Sequence, residues 1–210
     1  MRKHRYRLNE KPNDTIEQLS DHEDGMYYMQ EAPRTPLGIE VEENRIYFYT
    51  SVGDREALEL NRLIRRLDVE MKYLSSRLDG PKVPIHLHIN SPGGSIFAGL
   101  SIVDTMKNCS VPIYTYVEGS VASAASLISS AGQKGKRFIG ENSFMLVHQP
   151  YMEWSGKRDE FIDEIQNQEK IFSAIKKIYM SNCKFKNDEH LEQLLEHELW
   201  LDSKQCIELG

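Results

Sequence analysis

Strand-like and helix-like periods alternate along this chain from Ile39 to Met180, and that alternation restricts it to folds in which helices connect largely parallel strands. Ile39-Glu-Val-Glu and Arg45-Ile-Tyr-Phe-Tyr-Thr are β-branched and aromatic runs suited to strands. From Arg55 to Leu78, Leu58, Leu60, Leu63, Ile64 and Leu67 recur at helical spacing, Met71 and Leu74 extend the face, and Asp79-Gly-Pro81 stops it. Ile85-His-Leu-His-Ile89 then alternates as a strand, Ile96–Met106 reads as a helix, and Val111–Val117 alternates again. Val121–Ala131 is predicted as a small-residue helix, Phe138-Ile139 and Phe144–Val147 as strands, and Glu160–Met180 as a long helix with Phe161, Ile165, Ile171, Phe172, Ile175 and Ile178 along it. The fold class expected is α/β.

The 210 residues suffice for one substantial core, and 40% hydrophobic with 28% charged residues is a globular composition. A net charge of −6 argues against general nucleic-acid binding, although the first seven residues are basic. Cys109, Cys183 and Cys206 form no CxxC pair and leave one over, which favours reduced thiols and a cytoplasmic location over a disulfide framework. No apolar stretch approaches the roughly 20 residues of a membrane span, and the N-terminus lacks an apolar signal region. Residues 1–38 are polar, carry Pro12, Pro33 and Pro36, and are expected to form an extension that orders only when docked; residues 39–210 form one domain.

Three loops carry residue types with chemical consequences. Ile89-Asn-Ser-Pro-Gly-Gly-Ser95 joins a strand to a helix, and its paired glycines permit close backbone approach to a ligand, though taken alone they are ordinary turn chemistry. Gly119-Ser-Val-Ala-Ser123 again joins strand to helix. Ser120 is the better placed to cap that helix, whereas Ser123 stands among residues too small to cover its hydroxyl. A serine becomes a good nucleophile only when a base takes its proton, and the N–H of Ala124 is placed to face an oxyanion. Phe144-Met-Leu-Val-His148-Gln-Pro150 ends an apolar strand on a histidine, a rigid seat for a base of near-neutral pKa. His86 and His88 share a strand face, but without a third ligand nearby they do not make a metal site, and no cofactor is expected.

Taken together, Ile89–Ser95 with Ala98-Gly99 and Asp104-Thr-Met106, Gly119–Ser123, and His148-Gln-Pro150 resemble the Clp protease proteolytic-subunit (ClpP) family. The intervals match as well: 29 residues separate Gly94 from Ser123, and 25 separate Ser123 from His148. The resemblance runs from about Val41 to Gly210. It implies a ClpP/crotonase-like fold of repeated ββα units with a helical handle at about 157–181. It implies Ser123 as nucleophile, His148 as base, and the amides of Gly94 and Ala124 as the oxyanion hole. Glu198 stands where the family has aspartate; Asp202 or a backbone carbonyl are the other candidates for orienting the histidine.

Other departures mark a divergent member. Ala124-Ala-Ser follows the nucleophile in place of Met-Gly, a pattern met in divergent and phage-borne relatives. The segment Tyr151–Gly156 has one glycine where the handle strand has several, and the sequence given stops where the family continues into a last strand.

The resemblance implies a self-compartmentalising serine endopeptidase of stacked heptameric rings. It would degrade or process unfolded polypeptides through an acyl-enzyme, with an ATP-dependent AAA+ unfoldase as partner; no GxxxxGK[ST] run is present in the chain itself. The alternative is a catalytically silent ring or scaffold subunit. An acyl-CoA enzyme of the crotonase type is disfavoured, because its chemistry does not use a serine with a histidine 25 residues on.

Overall fold

The computed structural model describes residues 38–78, 80–151 and 155–210. The expected N-terminal extension up to residue 37, and residues 152–154 of the segment before the handle, lie outside the described residues.

Alternation along the strands sets which face is buried. In β3 (Ile85–Ser91), Ile85, Leu87 and Ile89 are fully buried, while His86 and His88 point to the opposite face. Its neighbours are β2 (Arg45–Phe48) and β4 (Ile113–Ala122), both parallel to it. β1 (Ile39–Glu42) closes one edge as an antiparallel hairpin with β2. On the other side, β4 pairs in parallel with β5 (Arg137–Ile139) near its start and with β6 (Phe144–Leu146) near its end. β7 (Trp200–Leu201) adds antiparallel to β6, giving a seven-stranded sheet of order β1-β2-β3-β4-β6-β7, with β5 alongside β4.

Helix α1 (Asp54–Leu78) lays Ala57, Leu60, Ile64 and Leu67 on the Ile85/Leu87 face of the sheet, as its spacing predicts. α2 (Ile96–Lys107) packs between α1 and α3 (Ala124–Ser130). α4 (Arg158–Asn182) covers the expected handle helix and buries only its last third, at Ile175, Ile178 and Tyr179. The short helices α5 (Asp188–Leu195) and α6 (Ser203–Leu209) flank β7. The α/β class is as expected, and two of its strand–turn–helix units are β3–α2 and β4–α3.

The opposite face carries an aromatic ladder across four strands. Tyr47 stacks on His88 at 4.8 Å between ring centroids, His88 on Tyr116 at 4.5 Å, and Tyr116 on Phe138 at 4.8 Å. His88 Nδ1 lies 2.7 Å from Glu118, and His86 Nδ1 lies 2.8 Å from the Tyr116 hydroxyl. The two histidines are thus engaged with different partners. No metal-binding group of three or more His, Cys, Asp or Glu occurs among the described residues.

The β4–α3 unit differs from the sequence reading at its joint. β4 runs on to Ala122, because beyond Gly119 it picks up new partners: Ser120, Val121 and Ala122 pair with Phe144, Met145 and Leu146. α3 therefore starts at Ala124 rather than Val121, and Ser120 lies within the strand instead of capping the helix. Backbone groups at a buried strand end take ladder partners in preference to starting a helix with unpaired amides.

The entry to β4 is fixed from α1. Asp68 accepts from the Ser110 and Val111 amides at 2.7 and 2.9 Å and from the Ser110 hydroxyl at 2.8 Å. This holds Val111 outside the strand that was expected to include it. Asp68→Ala is expected to lower unfolding stability by about 1–3 kcal/mol, because two amides lose a charged acceptor. Asp68→Asn, which retains one acceptor oxygen, should cost less; urea unfolding midpoints of the two variants check this.

Candidate active site

Ser123 is the residue at which β4 stops and α3 starts, and its backbone has φ 54° and ψ −126°. A positive φ is unfavourable for a residue with a side chain, so the surroundings must enforce it. They do so from three directions. The Ser123 amide donates to the Leu146 carbonyl at 2.9 Å, tying the turn to the end of β6. Its carbonyl accepts from the Ser126 amide at 2.9 Å and from the Ser126 hydroxyl at 2.6 Å. That hydroxyl in turn accepts a hydrogen bond from the Tyr179 hydroxyl on α4, at 2.7 Å. Burial pushes the Tyr179 phenol well above its ordinary pKa, so it remains a donor. With the backbone held this way, the Ser123 side chain makes no capping bond to α3.

The third support is the glycine pair. Gly93 has φ 85°, and a Cβ placed on it would lie 2.5 Å from the Ala122 carbonyl oxygen, 2.8 Å from Ser123 Cβ and 3.1 Å from the Ala124 nitrogen. The loop therefore presses directly on the serine turn, and only glycine permits it. Gly94, at φ 147°, bridges to Val52: the Val52 amide donates to Gly93 at 2.8 Å, and the Ser95 amide donates to Val52 at 2.7 Å. Because the bridge uses groups of the two flanking residues, the N–H of Gly94 itself takes no part in it. The Ala124 N–H, in the first turn of α3, likewise lacks an intrahelical acceptor. Among the described residues neither N–H donates to a backbone carbonyl, and the two loops that carry them meet at Ser123.

His148 reaches the same end of the sheet through strand register. Ala122 pairs with Leu146, so Ser123 lies one residue past that pair and His148 two. The Gln149 amide, donating to the Leu195 carbonyl at 3.0 Å, fixes the chain just beyond the histidine. His148 Nδ1 stands 3.5 Å from Glu198 Oε1; the histidine side chain is 18% exposed and the glutamate 81%. Asp202 is occupied elsewhere, accepting from the Gln205 amide at 2.9 Å as the N-cap of α6. Between the two carboxylates considered from the sequence, only Glu198 is in reach of the histidine, at ion-pair distance and largely in solvent.

The sequence reading named Ser123, His148, Glu198, Gly94 and Ala124; the fold places Ser123 and His148 just beyond the same β4–β6 pair, Glu198 beside His148, Ala124 next to Ser123, and Gly94 on the loop whose neighbouring glycine bears on Ser123. It missed Gly93, Ser126 and Tyr179. The glycine pair was visible, but which glycine touches the serine depends on how two loops meet. The Tyr179–Ser126 bond joins residues 53 apart in the chain, with no local pattern to announce it.

A family model described as Clp protease matches residues 42–210. The chain is 33% identical over 174 residues to an ATP-dependent Clp protease proteolytic subunit 1 of Rhodopirellula baltica, covering 83% of this chain and 73% of that one. It is 38% identical over 128 residues to the ATP-dependent Clp protease proteolytic subunit of Streptococcus mutans, covering 60% and 65%. The subunit of the same name from Bdellovibrio bacteriovorus is 36% identical over 142 residues, covering 66% of each chain. The chain therefore spans about two thirds to three quarters of the length of these relatives.

Gly93→Ala is expected to displace the serine turn, because the new methyl would overlap backbone at 2.5 Å and the position has a positive φ. The expected cost is about 1–3 kcal/mol, read as a lower thermal unfolding midpoint. A midpoint equal to the parent's would show that the two loops do not press together.

Proposed function

Since this chain belongs to the Clp protease family, we propose that it is a serine endopeptidase whose nucleophile is Ser123 and whose base is His148. The observation that carries the reading is the Ser123 backbone, held at positive φ by two loops and by α4 while its hydroxyl is left out of helix capping. A serine needed only to end a strand or cap a helix has no use for that strain.

In the proposed reaction a peptide carbonyl sits against the Gly94 and Ala124 amides. His148 takes the Ser123 proton as Oγ attacks, and the oxyanion that forms is stabilised by the two N–H groups. The imidazolium then gives its proton to the departing amine, leaving an acyl-enzyme. Water, deprotonated by the same histidine, attacks the ester and regenerates the serine. Substrate backbone would add as a strand between Gly94–Ile96 and Gln149–Tyr151.

Glu198 is assigned as the orienting acid, in a weak form. An exposed carboxylate 3.5 Å from the ring steers the imidazole less firmly than a buried, hydrogen-bonded one. Polypeptide substrates, assembly into stacked rings, an ATP-dependent unfoldase partner and work in the cytoplasm complete the reading. The proposal of an ATP-dependent partner draws on the names of the relatives. No helix among the described residues is long and apolar enough to cross a membrane.

Fluorophosphonate treatment followed by mass mapping should modify Ser123 and nothing else, with Ser123→Ala unlabelled and its peptide turnover lower by several orders of magnitude. Absence of labelling in assembled protein would favour a catalytically silent ring subunit instead. Glu198→Gln should reduce kcat/KM by no more than about tenfold, as expected of a solvent-exposed charge. A loss as deep as that of His148→Ala would mean that the carboxylate works in a drier setting in the assembled protein.

A further inference from the structure

The acid–base step fixes where the leaving half of a substrate must lie. His148 takes the Ser123 proton and hands it to the departing amine, so the residue that follows the scissile bond is held beside the imidazole. In the proposed pose the preceding residues run between Gly94–Ile96 and Gln149–Tyr151, beyond the ends of β4 and β6. The following ones turn the other way from His148, over β6 and β7.

Strand register shows what they meet there. β6 and β7 are antiparallel, with Met145 opposite Leu201 and Leu146 opposite Trp200. Two residues further on, the same register puts Glu198 opposite His148, in keeping with their 3.5 Å contact. Val147 and Leu201 belong to the core and Met145 packs against it. Alternation therefore turns Leu146, His148 and Trp200 to the outer face of the strand pair, with Glu198 beside them. Trp200 is the diagonal neighbour of His148, at about 7–8 Å between Cβ atoms, a separation that an aromatic side chain spans. It is 48% exposed, and Leu146 opposite it is half-buried.

We propose that Trp200, with Leu146, is the specificity-determining surface for the residue that follows the scissile bond, and that it selects an apolar side chain there. The inference rests on the peptidase reading above. An apolar side chain covers both Trp200 and Leu146, whereas a short polar one leaves them in water. Glu198, at the rim of the same surface, repels a carboxylate at that position.

The test digests a library of randomised decapeptides with the full chain and maps the cut sites by mass spectrometry. Cuts before leucine, isoleucine, methionine or phenylalanine are expected about tenfold more often than cuts before aspartate, per occurrence in the library. Trp200→Ala should bring that ratio to within about twofold of unity, and Trp200→Phe should restore most of it. The distribution of residues preceding the bond should stay the same in both. A merely structural tryptophan would lower all cuts alike.

A second readout does not depend on turnover. Trp154 and Trp200 are the two tryptophans of the chain, so Trp154→Phe in a Ser123→Ala background leaves Trp200 as the sole reporter. A decapeptide with leucine after the preferred cut site should shift its emission to the blue and protect it from acrylamide. With aspartate in that place the affinity should be roughly tenfold weaker.

Fluorophosphonate labelling of Ser123 without any preference after the bond, or with a preference for lysine set by Glu198, would overturn this inference and leave the peptidase reading standing. So would Trp200 emission already shielded from acrylamide before peptide is added, since a second copy of the chain would then cover it. With neither labelling nor cleavage, the peptidase reading falls and this inference falls with it.

Discussion

Strand β4 carries the constraint on which the rest of the structure depends. A central strand buried between neighbours must have its amides and carbonyls paired on both edges along its whole length. Here β3 pairs on one side, with a shift of register between Ile89 and Ser91, and β5 and then β6 pair on the other, with the Gly119 amide between them donating to the Ser143 hydroxyl. The switch of partner from β5 to β6 falls at Gly119, whose φ of 68° bends the strand between the two pairings. Because β6 holds the last three residues of β4, the chain cannot turn into α3 until Ser123. The turn then has to be made at once, with a backbone conformation that a serine does not favour.

The strained turn is supported by layers of the fold that lie far apart in sequence. Gly93 bears on it from the loop after β3, Leu146 from the end of β6, and Tyr179 through Ser126 from α4. Each uses a different kind of contact: close backbone packing, an amide–carbonyl bond, and a relay of two hydroxyls. Strain persists only when the surroundings over-determine it. The histidine side is held less tightly, by strand register and one backbone bond, and its acid partner stands in solvent. The site is thus rigid at the serine and loosely held at the carboxylate.

Periodicity made the long elements legible. α1 was readable because its apolar residues lie along one helical face, and β3 because its apolar and polar residues alternate without a break. The joint between β4 and α3 was misread, because Val121-Ala-Ser-Ala-Ala is small and apolar and suits either state. Pairing with β6, a strand two elements later, decided it. The choice between Glu198 and Asp202 was likewise undecided in the sequence, since both are carboxylates near the same short strand. The structure commits Asp202 to capping α6.

By itself the sequence determined the α/β class, the order of the long elements, and the spacing of glycine pair, serine and histidine, which are properties of local period and fixed intervals. Tertiary structure alone decided that Gly93 is the glycine in contact with the serine turn. It also decided that the turn is strained and that Tyr179 supports it. Each of these depends on where segments distant in the chain meet. Contacts of that kind are set by the pairing and packing of whole elements, not by any pattern within one of them.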